Sequence, residues 1–203
     1  MTEVVDAFRR RYLETDVWKV TKWLGRQVIK CPLDLWIYQE IVFETRPDVI
    51  VETGTWYGGS AHYLASICDL IGSGRVISID LEVQDRPEHP RITYVTGSSV
   101  SSEVLDQVRG VLSSEDRVMV ILDSDHSKEH VLAELKAYGT LVTPGCYLIV
   151  EDTAATPILT PDAGPGPREA VEEFLRKSPL FTADLQCEKF LMTWQPGGYL
   201  RRR

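Results

Sequence analysis

The chain has 203 residues and a formal net charge of −8 at pH 7, with 43% hydrophobic and 26% charged residues. The acidic balance argues against a nucleic-acid partner, which would need a basic surface, and no apolar run is long enough for an integral membrane segment. The charged first residues, MTEVVDAFRRRYLETD, lack the apolar stretch of a secretory signal, so we expect a cytoplasmic protein. Four widely spaced cysteines form no C-x-x-C pair, which argues against zinc or disulfide bonds.

The order of predicted elements indicates one α/β domain. Residues 1–45 have a helical pattern, divided by Pro32, and we expect an N-terminal helical extension ahead of a domain at 46–203, in one compact unit. Strands are predicted at 48–52, 75–80, 92–95, 118–123, 146–151 and 190–194, and helices at 61–71, 104–112, 131–138 and 167–175. This alternation predicts a Rossmann-like, mostly parallel sheet with helices on both faces. The long Pro- and Gly-rich segment 154–167 is typical of a loop that closes over a site.

The first strand leads into the loop E-T-G-T-W-Y-G-G-S, which includes the candidate cofactor-binding residues Glu52, Gly54, Thr55, Gly58 and Ser60. Glycines here allow positive φ and close backbone approach, although the spacing is not G-x-G-x-x-G. A carboxylate ahead of the loop would repel a pyrophosphate but could accept hydrogen bonds from an amino-acid ammonium. The loop therefore favours the methionine end of S-adenosylmethionine over NAD; a plain turn between strand and helix is the alternative.

Polar residues also end the next two strands. Asp80 closes the second strand, where a carboxylate can accept hydrogen bonds from both ribose hydroxyls, although aspartate is also common in turns. Ser98 and Ser99 follow the third strand. Ligands of open α/β sheets bind beyond the carboxyl ends of strands, so these residues are predicted to lie at one cofactor site.

Three acids, Asp123, Glu151 and Asp152, end two strands that we expect to be neighbours. Adjacent strands lie about 4.8 Å apart, and carboxylates that close need a cation or a raised pKa. Oxygen ligands without a nearby cysteine favour Mg²⁺ or another hard divalent cation. The alternative is that one acid binds the cofactor, a role also predicted for Asp123, while the others cap helices.

Two residues after the fourth strand are further candidates. His126 lies three residues beyond Asp123, where a neutral imidazole could accept a substrate proton, so His126 and Asp123 are the predicted catalytic pair. A histidine bonded to the backbone at a helix start is the alternative. Asp125 opens the following helix and suits a capping role.

The sequence resembles the cephalosporin hydroxylase family. The similar segments are DLWIYQEIVFE at 34–44, RPDVIVETG at 46–54, ILDSDHSKEHVLAEL at 121–135 and PGGYLRR at 196–202. Despite the name, the resemblance implies a class I methyltransferase fold and methylation in antibiotic, sugar or lipid pathways. It also implies assembly into a homo-oligomer, for which the aromatic N-terminal helices are suited.

A more distant resemblance, to catechol O-methyltransferase, implies roles for the same positions. Its ribose-binding acid falls on Asp80, its Gly-x-Ser near adenine falls on Gly97-Ser98-Ser99, and its magnesium ligands fall on Asp123, Glu151 and Asp152. Its catalytic lysine falls on His126, and the tryptophan that stacks on adenine falls on Asp125, which the resemblance thereby places at the cofactor. This sequence departs from catechol O-methyltransferase at three of these places. It has His126 where that enzyme has lysine, Glu151-Asp152 where it has Asp-Asn, and Asp125 where it has tryptophan.

The residues and the resemblance together predict a Mg²⁺-dependent, S-adenosylmethionine-dependent O-methyltransferase. Its acceptor is expected to be a hydroxyl of a small natural product, sugar or lipid-linked intermediate. A metal-dependent hydroxylase and a nicotinamide oxidoreductase are alternatives from another enzyme class, as is a binding module that kept the cofactor site without catalysis. The first two are disfavoured by the missing 2-His-1-carboxylate set and the missing G-x-G-x-x-G.

Overall fold

The structure, a computed structural model, describes residues 2–154 and 164–203. The helices are α1 (Thr2–Glu14), α2 (Pro32–Thr45), α3 (Gly59–Ile71), α4 (Ser102–Gly110), α5 (Lys128–Tyr138) and α6 (Pro167–Lys177). The strands are β1 (Lys22–Trp23), β2 (Arg26–Gln27), β3 (Val49–Thr53), β4 (Arg75–Asp80), β5 (Ile92–Thr96), β6 (Val118–Leu122), β7 (Tyr147–Val150), β8 (Phe181–Ala183) and β9 (Tyr199–Arg202). None of the described helices is long and apolar enough to cross a bilayer.

The central sheet has seven strands in the order β5-β4-β3-β6-β7-β9-β8. Strands β3 to β7 run parallel, and β9 is antiparallel to both of its neighbours. The chain moves outward from β3 to β5 on one side, then returns to place β6 on the other side of β3. The fold prediction is therefore confirmed, and the reversal of strand order between β3 and β6 marks where a ligand is expected.

Alternate side chains of each central strand are buried on opposite faces. Val49 and Val51 of β3 pack into the core under α4, α5 and α6, whereas Ile50 packs into the core under α2 and α3. All five residues of β3 and all five of β6 are buried. Two-sided burial explains why these strands are nearly continuous apolar runs.

Two predicted segments differ from the structure. The helical pattern predicted for 1–45 is interrupted by the hairpin of β1 and β2, because Leu24 (φ 47°) and Gly25 (φ 83°) form a tight turn between strands. The strand predicted at 190–194 is wrong. The backbone of residues 190–194 forms hydrogen bonds with side chains; for example, Asp34 accepts one from the Trp194 amide (3.0 Å). The strand that pairs with β7 in the sheet is β9. Residues 155–163 of the predicted closing loop lie outside the described residues.

Candidate active site

A cavity of about 530 Å³ lies over the carboxyl ends of the central strands, at the reversal of strand order. It brings together most of the residues that the sequence predicted for the cofactor. Among its lining residues are Gly54, Thr55, Ser60, Asp80, Ser98, Ser99, Asp123, Asp125 and His126. Gly58 and Glu52 do not line it.

The glycines of the first loop allow close approach to the protein's own backbone. At Gly54 (φ 84°), a Cβ atom would lie 1.9 Å from the Asp123 carbonyl oxygen, so only glycine lets the loops after β3 and β6 meet. Gly58 (φ 73°) precedes α3, and a Cβ there would lie 2.8 Å from the Tyr94 hydroxyl. Gly54 lines the cavity, whereas Gly58 allows the chain to turn into α3 behind it.

Glu52 lies beneath the cavity, where no part of it is exposed. Its Oε2 atom accepts a hydrogen bond from the Ser78 hydroxyl (2.5 Å), and its Oε1 atom has no hydrogen-bond partner among the described residues. Burial raises the pKa of Glu52, although Lys30 and nearby hydroxyls oppose this effect. The predicted contact with a ligand ammonium would therefore need access to a fully buried carboxylate.

Asp80 has the position that the sequence predicted, at the end of β4 and in the cavity wall. Its carboxylate accepts hydrogen bonds from the amides of Trp56 (2.6 Å) and Glu82 (3.2 Å). Trp56 has a φ of 46°, a left-handed conformation that turns its amide toward Asp80. The two amides fix the carboxylate, and its remaining lone pairs are available to a ligand.

Several polar side chains lie together at one end of the cavity, and the sequence predicted only some of them as site residues. The Ser99 hydroxyl lies 3.1 Å from Nε2 of His130, and this imidazole lies 3.6 Å from the buried carboxylate of Glu134. Glu134 also accepts a hydrogen bond from Ser124 (2.7 Å). Asp125 accepts one from the amide of Ser127 (2.7 Å) in the turn ahead of α5; the N-cap residue of this helix is Ser127, so Asp125 does not cap it directly.

Beside the cavity, Asp123, His126 and Asp152 form a cluster with metal-ligand geometry. One ligand atom from each lies within 4.8 Å of the other two. Nε2 of His126 is 3.4 Å from Oδ1 of Asp123 and 3.5 Å from Oδ2 of Asp152. Asp152 has a φ of 57°, a conformation that aspartate adopts more readily than most residues and that directs the chain after β7.

The carboxylates of Asp123 and Asp152 and the imidazole of His126 shift one another's pKa values. Burial opposes the charged imidazole, but the hydrogen bond to Asp123 and the charge of Asp152 raise the pKa of His126 to about 9. Burial and the charge of Asp123 raise the pKa of Asp152 to about 6. In the absence of a metal ion, a protonated His126 therefore balances part of the acidic charge.

Glu151, the third predicted metal ligand, neighbours this cluster, although it is not among the three residues whose ligand atoms lie within 4.8 Å of one another. Its carboxylate forms an ion pair of 2.6 Å with Lys30, and both side chains are 5% exposed. Lys30 also pairs with Oδ2 of Asp123. The carboxylate of Glu151 is thus held by a buried ammonium group, and among the described residues His126 occupies the third position of the cluster.

Lys30 is the main functional candidate that sequence reasoning missed. Burial disfavours its ammonium form, but the carboxylates of Asp123 and Glu151 outweigh that effect and raise the pKa of Lys30. Its neighbours Ile29 and Cys31 are apolar, and no motif marks it. The only available signal was the predicted group of buried acids, which requires a cation from somewhere in the chain.

A second, smaller cavity of about 80 Å³ lies on the other side of Lys30. Its walls include the aromatic residues Tyr12, Trp18 and Trp194. The residues that line both cavities are Trp18, Ile29, Lys30, Asp123 and Asp152. The acidic residues Asp123 and Asp152 thus lie where the two cavities meet.

The wall of the smaller cavity is fixed by a buried carboxylate. Asp34, at the start of α2, accepts hydrogen bonds from the Thr193 hydroxyl (2.5 Å), the Trp194 amide (3.0 Å) and the Tyr199 hydroxyl (3.0 Å). Arg9 of α1 donates to the Thr193 carbonyl (2.7 Å). The N-terminal segment and the segment before β9 are therefore joined at this cavity.

Comparisons with known proteins agree with this arrangement. The sequence model of the family described as Rhamnosyl O-methyltransferase/CmcI matches residues 15–203. A Rhamnosyl O-methyltransferase of Mycobacterium leprae (strain TN) is 34% identical over 209 residues, covering 98% of this chain and 91% of the relative. One of Mycobacterium tuberculosis is 37% identical over 210 residues, covering 98% and 85%.

A solved structure of CmcI with Mg and SAM has the same fold, with a TM-score of 0.68 and 23% sequence identity over 90% of this chain and 76% of that chain. The predicted family resemblance is confirmed, and these relatives do not favour an oxidoreductase or a hydroxylase. The chain belongs to the Rhamnosyl O-methyltransferase/CmcI family and is an S-adenosylmethionine-dependent O-methyltransferase.

Proposed function

We propose that the protein methylates a hydroxyl group of a deoxysugar carried by a larger metabolite, with a divalent cation held by Asp123 and Asp152 and with His126 beside them as the proton acceptor. The observation that carries this proposal is that these acids lie where the two cavities meet. The larger cavity would hold the methyl donor and the smaller one the acceptor.

The larger cavity fits S-adenosylmethionine in size and polarity. Its volume of about 530 Å³ lies within the range of small-molecule sites, about 300–1,000 Å³. Asp80, fixed by two backbone amides, would accept hydrogen bonds from the ribose hydroxyls. Ser98, Ser99 and Asp125 would surround the adenine end, and Gly54, Thr55 and Ser60 the methionine end.

The donor set of the acidic cluster fits a hard divalent cation. The two carboxylates suit Mg²⁺ as well as Mn²⁺, and the CmcI structure with Mg and SAM supports the former. When bound, S-adenosylmethionine supplies the methyl group, and the cation supplies positive charge that favours ionisation of an alcohol. Asp123 and Asp152 would hold the cation, and Lys30 would hold Asp123 in place.

We assign the proton-accepting role to His126. Its side chain is 40% exposed and lies in the cavity wall, so an acceptor hydroxyl can reach it. The same Nε2 atom faces both carboxylates, so this role needs an imidazole that has lost its proton. A His126→Gln variant tests the assignment: loss of turnover at unchanged cation affinity supports a base, whereas loss of cation affinity identifies a ligand.

The smaller cavity favours an acceptor with apolar faces. Tyr12, Trp18 and Trp194 offer aromatic surface, which packs against the C–H faces of a sugar ring, and a deoxysugar has more such surface than other hexoses. The names of the mycobacterial relatives support a rhamnosyl group. Since the cavity is only about 80 Å³, the carrier of the sugar would remain outside it.

Methylation of an aryl rhamnoside tests the proposal. The protein, S-adenosylmethionine and Mg²⁺ are incubated with the rhamnoside, and mass spectrometry measures the gain of one CH₂ unit. A matched glycoside with a hydroxyl on its sixth carbon is the control, and we expect it to react at least about tenfold more slowly. Equal rates, or methylation of neither sugar alongside methylation of a phenol, would reject the deoxysugar.

A further inference from the structure

A buried carboxylate in α5 lies behind the wall of the larger cavity. Glu134 is 0% exposed, and a buried acid is unfavourable unless other groups compensate its charge. Its Oε1 atom accepts a hydrogen bond from the Ser124 hydroxyl (2.7 Å) and lies 3.6 Å from Nε2 of His130, one helical turn away. Its Oε2 atom has no partner among the described residues. Glu134 is therefore linked to the cavity through His130, which lines it.

The buried carboxylate determines how His130 faces the cavity. A carboxylate only accepts hydrogen bonds, so Glu134 favours the form of the imidazole that carries its proton on Nε2. The Ser99 hydroxyl lies 3.1 Å from the same nitrogen. Both of these polar contacts use Nε2, so Nδ1 of the neutral ring keeps a lone pair that can accept a hydrogen bond from a ligand.

Neighbouring acceptors at this end of the cavity are already engaged by the protein. The carbonyl oxygen of Ser99 accepts a hydrogen bond from the hydroxyl of the fully buried Tyr138 (2.7 Å). Oδ1 of Asp125 accepts one from the Ser127 amide (2.7 Å), and the other oxygen of this exposed residue is the rival acceptor for an amino group of a ligand. The half-buried imidazole of His130 is the acceptor that the protein holds in one orientation.

We propose that His130 is a specificity-determining residue for the nucleobase of S-adenosylmethionine, and that Glu134 is its positioning residue. Nδ1 of His130 accepts a hydrogen bond from the 6-amino group of adenine, while Glu134 and Ser99 hold the ring in place. This inference rests on the position of the adenine end in the proposed function, and it depends on neither the cation nor the acceptor. A base with a carbonyl oxygen on its sixth carbon would place a second acceptor against Nδ1 and would be rejected.

Calorimetry with two ligands measures this selection, in the absence of cation and acceptor. S-adenosylhomocysteine carries the 6-amino group, and S-inosylhomocysteine has a carbonyl oxygen in its place. We expect the wild type to bind the adenine ligand at least about tenfold more tightly, because an acceptor that faces another acceptor loses its hydrogen bond. His130→Phe keeps a planar ring without the nitrogens, and its preference should fall below about threefold.

His89→Phe is the matched control, because it removes an imidazole from a contact with the Asp69 carboxylate (3.1 Å) away from the larger cavity. We expect it to keep the wild-type preference within about twofold. Asp125→Ala examines the rival acceptor and should also keep the preference. Loss of the preference in Asp125→Ala but not in His130→Phe would overturn the inference, as would a wild type that binds both ligands equally.

Glu134→Gln keeps the test decisive if His130→Phe does not fold, and it separates positioning from a purely structural role. Glutamine can present either an oxygen or an NH₂ group to Nε2 of His130, so it no longer fixes the proton on that atom. The preference for the adenine ligand should fall by at least about threefold. Equal weakening of both ligands would show that Glu134 only supports the fold. Failure of the wild type to bind S-adenosylhomocysteine would reject the proposed donor cavity and this inference with it, whereas a missing preference rejects the inference alone.

Discussion

The amide of Trp194 donates a hydrogen bond of 3.0 Å to the carboxylate of Asp34, joining the start of α2 to the segment before β9. Two hydroxyl groups, from Thr193 and Tyr199, donate to the same carboxylate. All four residues are buried. Both Asp34 and Trp194 line the smaller cavity, so under the proposed function this junction would also shape the site of the acceptor.

Asp34→Ala should lower the free energy of unfolding by about 3 kcal/mol or more, since three buried donors lose their acceptor at about 1–3 kcal/mol each, without strict additivity. Urea denaturation measures this change. At temperatures where the variant is folded, the KM for the acceptor should rise more than the KM for the cofactor. Asp106→Ala is the control, because its exposed pair with Arg109 should contribute less than about 1 kcal/mol; a similar loss in both variants would contradict the role of Asp34.

Gly54→Ala should prevent correct folding of the site. Its Cβ would lie 1.9 Å from the Asp123 carbonyl oxygen at a φ of 84°, so the loop that carries Asp123 would have to move, at a cost above about 3 kcal/mol. Gly72→Ala has a similar φ of 76° with open space around the Cβ, and should cost only about 1–2 kcal/mol. Circular dichroism during thermal unfolding compares the two, and equal melting temperatures would show that the loops separate readily.

Asp80→Asn should weaken binding of S-adenosylhomocysteine by about 10–100-fold, because hydrogen bonds to a charged group contribute about 1.5–3 kcal/mol. The amides of Trp56 and Glu82 donate to different oxygens of Asp80, so asparagine keeps an acceptor for only one of them, and the loss of the other bond is a cost that the fold has to bear. Calorimetry measures the affinity, and thermal unfolding without ligand verifies the fold. An unchanged affinity would place the ribose elsewhere.

Asp152→Asn tests the cation cluster with little effect on the backbone. Asparagine tolerates the φ of 57° found at this position, and the substitution removes one negative charge from the cluster. We expect cation affinity and turnover to fall by about tenfold or more, while the affinity for S-adenosylhomocysteine changes by less than about threefold. Loss of cofactor binding without loss of cation binding would assign Asp152 to the donor cavity.

The pair formed by His130 and Glu134 predicts a pH dependence of stability. The carboxylate of Glu134 raises the pKa of His130 above its usual 6.5, and partial burial opposes this effect. The stabilisation is therefore fully present below pH 6.5 and is lost as the pH rises through the pKa of the folded state. Between pH 5.5 and pH 8.5, urea unfolding should show a decline in stability that is larger in the wild type than in His130→Gln, by about 1 kcal/mol or less, since His126, whose pKa is raised to about 9, contributes a decline to both proteins. Parallel pH profiles would show that the pair does not contribute.

The sheet could be predicted from the sequence because its strands are buried on both faces. The segments VIVET and VMVIL have no competing helical period, and each ends in polar residues at the same edge. The predicted cofactor residues Asp80, Ser98 and Ser99 lie together for the same reason. Parallel topology by itself thus places the carboxyl ends of the strands at one site.

Other features depend on long-range contacts that no local pattern specifies. Residues 190–194 have a strand-like apolar sequence, yet buried side chains such as Asp34 and Arg9 bind their backbone in place of a neighbouring strand. Lys30 comes from a segment without a motif and reaches two acids far along the chain. The contact of Glu151 with Lys30 could not be predicted for the same reason, and the role of Glu151 as a metal ligand stays a prediction.

The smaller cavity is built from widely separated parts of the chain, since Tyr12 and Trp18 form one side and Trp194 and Gln195 another. The residues around the larger cavity, by contrast, all precede residue 153. During synthesis on the ribosome, every wall residue of the larger cavity therefore emerges before the last walls of the smaller one. Under the proposed function, the site for the acceptor would be completed only after Gln195 and the strand β9 that follows it have been translated.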